Sequence, residues 1–124
     1  MITSEFINAE NYLAVQMSGA VSQVEIIEYV ESLRSNKPEF PSRLYILTDA
    51  SKAKLDLTHD TLESVMKVVN RHPGLYERVF DAIVFTDPRD TAMGALFEAL
   101  AQSDRYHIKI FSTIDAAKAW LKSQ

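Results

Sequence analysis

Four polar residues stand where chemistry could be placed: Asp49, Ser51, Thr58 and Asp87. Asp49 and Ser51 follow the apolar run Leu44-Tyr45-Ile46-Leu47. A short apolar run between polar residues predicts a strand buried on both faces, and so a central one. Binding sites of open α/β sheets collect at the carboxyl ends of such strands, and the spacing places Asp49 and Ser51 at that edge. A carboxylate and a hydroxyl there could hold a small ligand or accept a phosphoryl group. The commoner use of the same pair is local, with Asp satisfying loop N–H groups and Ser beginning a turn. Thr58 is expected to open a helix, where free N–H groups and the dipole stabilise an anion. Thr58 and Ser51 are therefore the candidate phosphoacceptors, although plain capping explains Thr58 equally well. Asp87 with Asp90 could hold a metal at another helix start, but capping accounts for both, and no metal site is expected.

Catalytic machinery is not legible. His59, His72 and His107 fall on different elements without ligand spacing. Ser51, His59 and Asp49 compose a triad on paper, yet no G-x-S-x-G elbow or oxyanion-hole signal accompanies them. The three glycines form no phosphate cradle. No catalytic residue and no cofactor are assigned, and an enzyme is the lowest-ranked class.

The composition bounds what remains. The 124 residues are 47% hydrophobic and 24% charged, with a net charge of -4. These values fit one soluble domain spanning 1–124. A mildly acidic chain argues against nucleic acid and anionic membranes, which call for clustered Lys and Arg. Cysteine is absent, which excludes disulfides and thiolate chemistry and suits a cytoplasmic setting. No signal peptide or membrane span is read.

The elements that would position the polar residues follow in order. A hairpin joins strands near Glu5–Ile7 and Tyr12–Met17 through Asn8-Ala9-Glu10-Asn11. Leu13, Val15 and Met17 share one face, and Gly19 is expected to close the strand. Ser22-Gln23-Val24-Glu25 has capping-box spacing, opening a helix with the stripe Ile26, Ile27, Val30 and Leu33. The central strand comes next, and Ser51–Leu57 reads as a connection. Thr58 caps a helix with the stripe Leu62, Val65, Met66 and Val69, stopped at His72-Pro73-Gly74. Val79–Thr86 is a strand whose only charge is Asp81. Asp87-Pro88 starts a helix with Met93, Leu96, Phe97 and Leu100 inward, and Gly94 costs it about 1 kcal/mol relative to Ala. Tyr106–Phe111 is the last strand, and Ser112 or Thr113 caps a final helix anchored by Ala117, Leu121 and Trp120, which is expected to be buried. Strands alternating with helices predict an α/β fold with a mainly parallel sheet.

This order resembles the SpoIIAA-like branch of the STAS (sulfate transporter and anti-sigma-factor antagonist) superfamily. The resemblance is carried by Met17-Ser18-Gly19, the helix from Ser22, Leu44 to Asp49, Thr58, and the ending Phe111, Ala117, Trp120 and Leu121. It covers nearly the whole chain. It implies a strand–helix superhelix with a five-stranded, mostly parallel sheet, an N-terminal antiparallel hairpin and four helices. It also implies a non-enzymatic regulatory or protein-interaction module. Antagonists of that type carry Asp-Ser-Ser-Gly at the second helix. Here Leu55-Asp56-Leu57-Thr58-His59-Asp60 stands in that place, and the missing Ser-Ser-Gly argues against phospho-switching.

Two function classes follow. One is an interaction module whose partner is another protein or a second copy. The other is a binder of a small anionic ligand, of nucleotide or acyl type, at Asp49, Ser51, Thr58 and Asp87. A receiver-type phosphoacceptor ranks third, since the paired acids and lysine it needs are absent from the expected strand ends. A homodimer is expected on one argument. If most helices cover one sheet face, apolar residues on the other face of the central strands would need a partner.

Overall fold

The computed structural model describes residues 1–35, 40–55, 58–71, 76–87, 92, 94–96, 98–99 and 105–124, without the side chains of 34, 35, 59, 61 and 69–71. The strands are β1 (Ile2–Ile7), β2 (Tyr12–Val21), β3 (Arg43–Leu55), β4 (Arg78–Val84) and β5 (Tyr106–Phe111). The helices are α1 (Gln23–Ser35), α2 (His59–Arg71), a segment with described helical residues at 92, 94–96 and 98–99 that we label α3, and α4 (Ile114–Lys122). The five strands form one sheet in the order β1-β2-β3-β4-β5. β1 runs antiparallel to β2, and the other pairings are parallel.

Local chemistry explains most of these elements. Asn11, with φ 56, makes the hairpin turn, a backbone region that Asn tolerates better than most side chains. Glu25 N–H donates to Ser22 Oγ at 3.3 Å, and Ser22 N–H returns a bond to Glu25 Oε1 at 3.5 Å, closing the capping box of α1. Thr113 caps α4 by accepting from Ala116 N–H at 3.2 Å.

Strand alternation divides the side chains between two layers. Leu13, Val15 and Met17 of β2, Leu44 and Ile46 of β3, and Val79 and Ile83 of β4 face a core shared with Ile26, Val30 and Leu33 of α1 and Val65 and Met66 of α2. Leu47, Phe80, Ala82 and Val84 face the opposite way and pack against Ala117 and Leu121 of α4. The last helix thus covers the face that was expected to stay open. The exposed-face argument for a homodimer loses its premise there, and the described large apolar side chains left exposed are Met1 and Val24.

Three further expectations need correction. β3 does not end at Ser51; it continues to Leu55, with Ala53 buried between exposed Lys52 and Lys54. Asp49 and Ser51 therefore lie inside the strand, not at its carboxyl edge. β2 does not close at Gly19; it runs on to Val21, with Gly19 at φ 67, a conformation that an L side chain would strain. Trp120 is half-buried, not fully buried, with its ring edge-on to Phe80 at 6.1 Å. The α2 stop at His72-Pro73-Gly74, the Pro88 and Asp90 positions, and Met93, Phe97 and Leu100 lie outside the described residues, as does the side chain of Val69.

Candidate functional site

The sheet places an acid inside the core. Asp81 lies on β4, where alternation turns it toward α1 and α2, and it is only 5% exposed. A buried carboxyl is costly unless it is hydrogen-bonded or protonated. Thr48 of β3, 1% exposed, donates from Oγ1 to Asp81 Oδ1 at 2.8 Å. The Tyr106 hydroxyl of β5 stands 3.5 Å from Oδ2, a long and weak contact. Burial raises the Asp81 pKa to about 7, against the opposing pull of these two hydrogen bonds. At neutral pH the group therefore divides between acid and carboxylate.

Two tyrosines complete the cluster. Burial, and then the charge on Asp81, raise the pKa values of Tyr29 on α1 and Tyr106 well above the ordinary phenol value. Both keep their protons at neutral pH. The Tyr29 hydroxyl oxygen is buried and has no hydrogen-bond partner among the described residues. Such orphans are rare in folded proteins and invite an explanation.

The space these groups face supplies one. A cavity of about 70 Å³ lies between the sheet, α1 and α2, and its walls are chiefly apolar, including Met17, Ile26, Val30, Leu62, Val65 and Ile83. Thr48, Asp81, Tyr29 and Tyr106 also line it, and among the described lining residues there is no Lys, Arg or His. Gly94 of α3 lines it too; a Cβ there would meet Phe85 Cε2 at 2.7 Å. The cavity can hold a compact apolar body with one polar end. Its described lining residues supply no nucleophile paired with a base and no cationic anchor.

The sequence candidates lie elsewhere. Asp49 sits at a bulge: Gln16 pairs with Asp49 and Ser18 with Lys52, so Ala50 and Ser51 together oppose Met17. Asp49 Oδ1 accepts from Ser51 N–H at 3.0 Å and from Ser51 Oγ at 2.6 Å. That is the local, backbone-serving role. The Ser51 hydroxyl is spent on Asp49, and the side chain of His59 is outside the described residues, so the paper triad gains no support. Asp49 also lines an open groove of about 530 Å³ on the α4 face with Gln16 and Lys118, where Gln16 Nε2 is buried without a partner among the described residues. Thr58 is exposed just before α2, and its carbonyl accepts from Leu62 N–H at 3.0 Å. Asp87 is exposed at a bend after β4. Neither lines the cavity or the groove. Thus Asp49 and Ser51 come together on one face of the sheet, and the Asp81 cluster occupies the other. Asp81 is not among the sequence candidates; the signal that could have found it is its standing as the only charge in the apolar run Val79–Thr86.

Among the described residues no group of three or more His, Asp or Glu is placed to hold a metal ion, and no helix is long and apolar enough to cross a membrane. No family model matches the chain, and no curated protein matches it. One solved structure is similar over nearly the whole length: an uncharacterised protein from the DUF3478 family of Shewanella loihica PV-4, described as having a SpoIIAA-like fold. The likeness has a TM-score of 0.61 at 18% identity, covering 98% of this chain and 92% of that one. With its mixed five-stranded sheet and this likeness, the chain has a SpoIIAA-like fold.

Proposed function

We propose that this chain is a non-enzymatic binding module of SpoIIAA-like fold whose ligand is a small, mainly apolar molecule held in the cavity beside Asp81. The observation that carries this reading is a buried polar cluster with unused capacity facing an apolar space. Asp81 and the unpartnered Tyr29 hydroxyl would satisfy the polar end of a guest, and the aliphatic walls would take the rest. The cluster has no nucleophile–base pair, which supports the non-enzymatic assignment over a hydrolase. The reading moves the small-ligand site from the strand edge at Asp49, Ser51, Thr58 and Asp87 to the layer between sheet and helices. A regulatory or protein-interaction role is what the resemblance in the sequence implies, and ligand occupancy beneath α1 and α2 is a natural way to control such a role. The lack of cysteine suits a cytoplasmic setting for it.

Xenon tests the cavity without regard to charge. Xenon-129 NMR of the purified protein should show saturable binding, with amide shifts centred on Val65 and Ile83. Val65→Phe, which fills the space, should abolish that binding while keeping a folded spectrum. Unsaturable xenon shifts, or shifts that survive Val65→Phe, would contradict the reading.

A further inference from the structure

The lining of the cavity also defines the class of guest, on the reading just given that the cavity is a ligand site. We infer that it selects a small aliphatic molecule with a cationic or hydrogen-donating head, an amine above all, and turns away carboxylates and phosphates.

Hydrogen-bond capacity on the cavity wall is the first determinant. An ionised carboxylate is an acceptor only, with about four lone-pair sites. Thr48 occupies one site on Oδ1, and Tyr106 reaches Oδ2 only at 3.5 Å. Acceptor capacity is therefore left over on ionised Asp81, and the Tyr29 hydroxyl, which can accept as well as donate, has no partner among the described residues. A donor head fits both. An anionic head would meet Asp81 with no Lys, Arg or His among the described lining residues to offset the repulsion. The anionic ligand suggested by the strand-edge residues is thus the wrong sign for this space.

Size and proton balance complete the assignment. The cavity is about 70 Å³, roughly half the volume of an engineered apolar cavity that takes benzene, which suits about four non-hydrogen atoms. Propylamine has that size. Its ammonium form meets Asp81 as the carboxylate; if Asp81 begins as the acid, its proton leaves to solvent as the ion pair forms. A buried pair of this kind holds only when its remaining donors and acceptors are met, and Thr48, Tyr106 and Tyr29 are placed for that.

The test compares propylamine with propanoate by titration calorimetry at pH 7.5, with xenon binding measured on the same samples. We expect propylamine to bind at least about tenfold more tightly than propanoate. Asp81→Asn, which keeps the shape, should reduce the preference to within about threefold while keeping xenon binding. In the wild-type protein at pH 6, propylamine binding should also release protons to the buffer, a readout that needs no variant. Xenon binding without amine preference, a preference that persists in Asp81→Asn, or no proton release at pH 6 overturns the amine assignment and leaves the cavity reading standing. Absence of both xenon and amine binding overturns both.

Discussion

Thr48 Oγ1 donates to Asp81 Oδ1 at 2.8 Å across the β3–β4 pairing, joining side chains 33 residues apart. The register pairs Thr48 with Ile83 and Ile46 with Asp81, so the bond runs diagonally along one sheet face. Thr48→Val keeps the shape and removes the donor. It should cost about 1–3 kcal/mol, because a buried acceptor loses its best partner. It should also move the Asp81 midpoint above about 7, since the hydrogen bond from Thr48 lowers it. Urea unfolding and a carboxyl-carbon titration check both effects; an unchanged midpoint would show that the bond does not form.

The pH dependence of stability has a definite sign. The Asp81 carboxyl has a pKa of about 7 in the fold, against an ordinary value of 3.8. Between these values the folded chain holds a proton that the unfolded chain has lost, so stability falls as pH rises. The contribution is greatest below about pH 4 and is lost above about pH 7, a span worth about 4 kcal/mol. Tyr29 and Tyr106, which face the same carboxyl, stay protonated throughout and add no slope there. Urea midpoints of wild type and Asp81→Asn at pH 5 and pH 8 measure this. The variant should gain relative to wild type at pH 8, and a constant difference between the two pH values would count against burial of the charge.

Much of the fold was legible in the sequence. The capping box Ser22–Glu25, the Thr113 cap and the alternation of Leu13, Val15 and Met17 are local signals, and each fixes an element without help from distant chain. The end of β3 was not legible, because Ser51-Lys52-Ala53-Lys54 carries polar residues typical of a connection. Only a bulge opposite Met17 and pairing with β2 keep that segment extended. The far-face position of α4 was missed for a related reason. Central strands apolar on both faces require cover on both sides, but their sequence does not say whether a helix or a second copy supplies it. At the site, the lone acid in β4 was visible, whereas its partners Thr48, Tyr29 and Tyr106 come from three other elements. That convergence depends on strand order and on the position of α1.

Gly94 sets how closely α3 approaches the sheet. A Cβ there would lie 2.7 Å from Phe85 Cε2 and 3.2 Å from Ile110 Cδ1. Gly94→Ala gains up to about 1 kcal/mol of helix propensity but overpacks this contact at a cost of about 1–3 kcal/mol. A net loss of about 1 kcal/mol in thermal or urea unfolding is expected. A more stable variant would show that the ring gives way freely.

Trp120 ties α4 to the sheet through Phe80 and Phe111, at ring distances of 6.1 Å and 5.8 Å. Because the indole is half-buried, Trp120→Ala should cost about 2–3 kcal/mol, less than the 3–5 kcal/mol of a fully buried Trp. The loss should appear as a lower Tm, while the fluorescence of wild-type Trp120 should report partial access to a soluble quencher. An unchanged Tm would mean that Ala117 and Leu121 hold the helix alone.

A carbon-13 NMR titration of the Asp81 carboxyl in the wild-type protein measures whether a desolvated carboxyl stands at the apolar cavity. A midpoint of about 7 is expected. A midpoint near the ordinary value of 3.8 would place Asp81 in contact with water and remove the buried acid from the cavity.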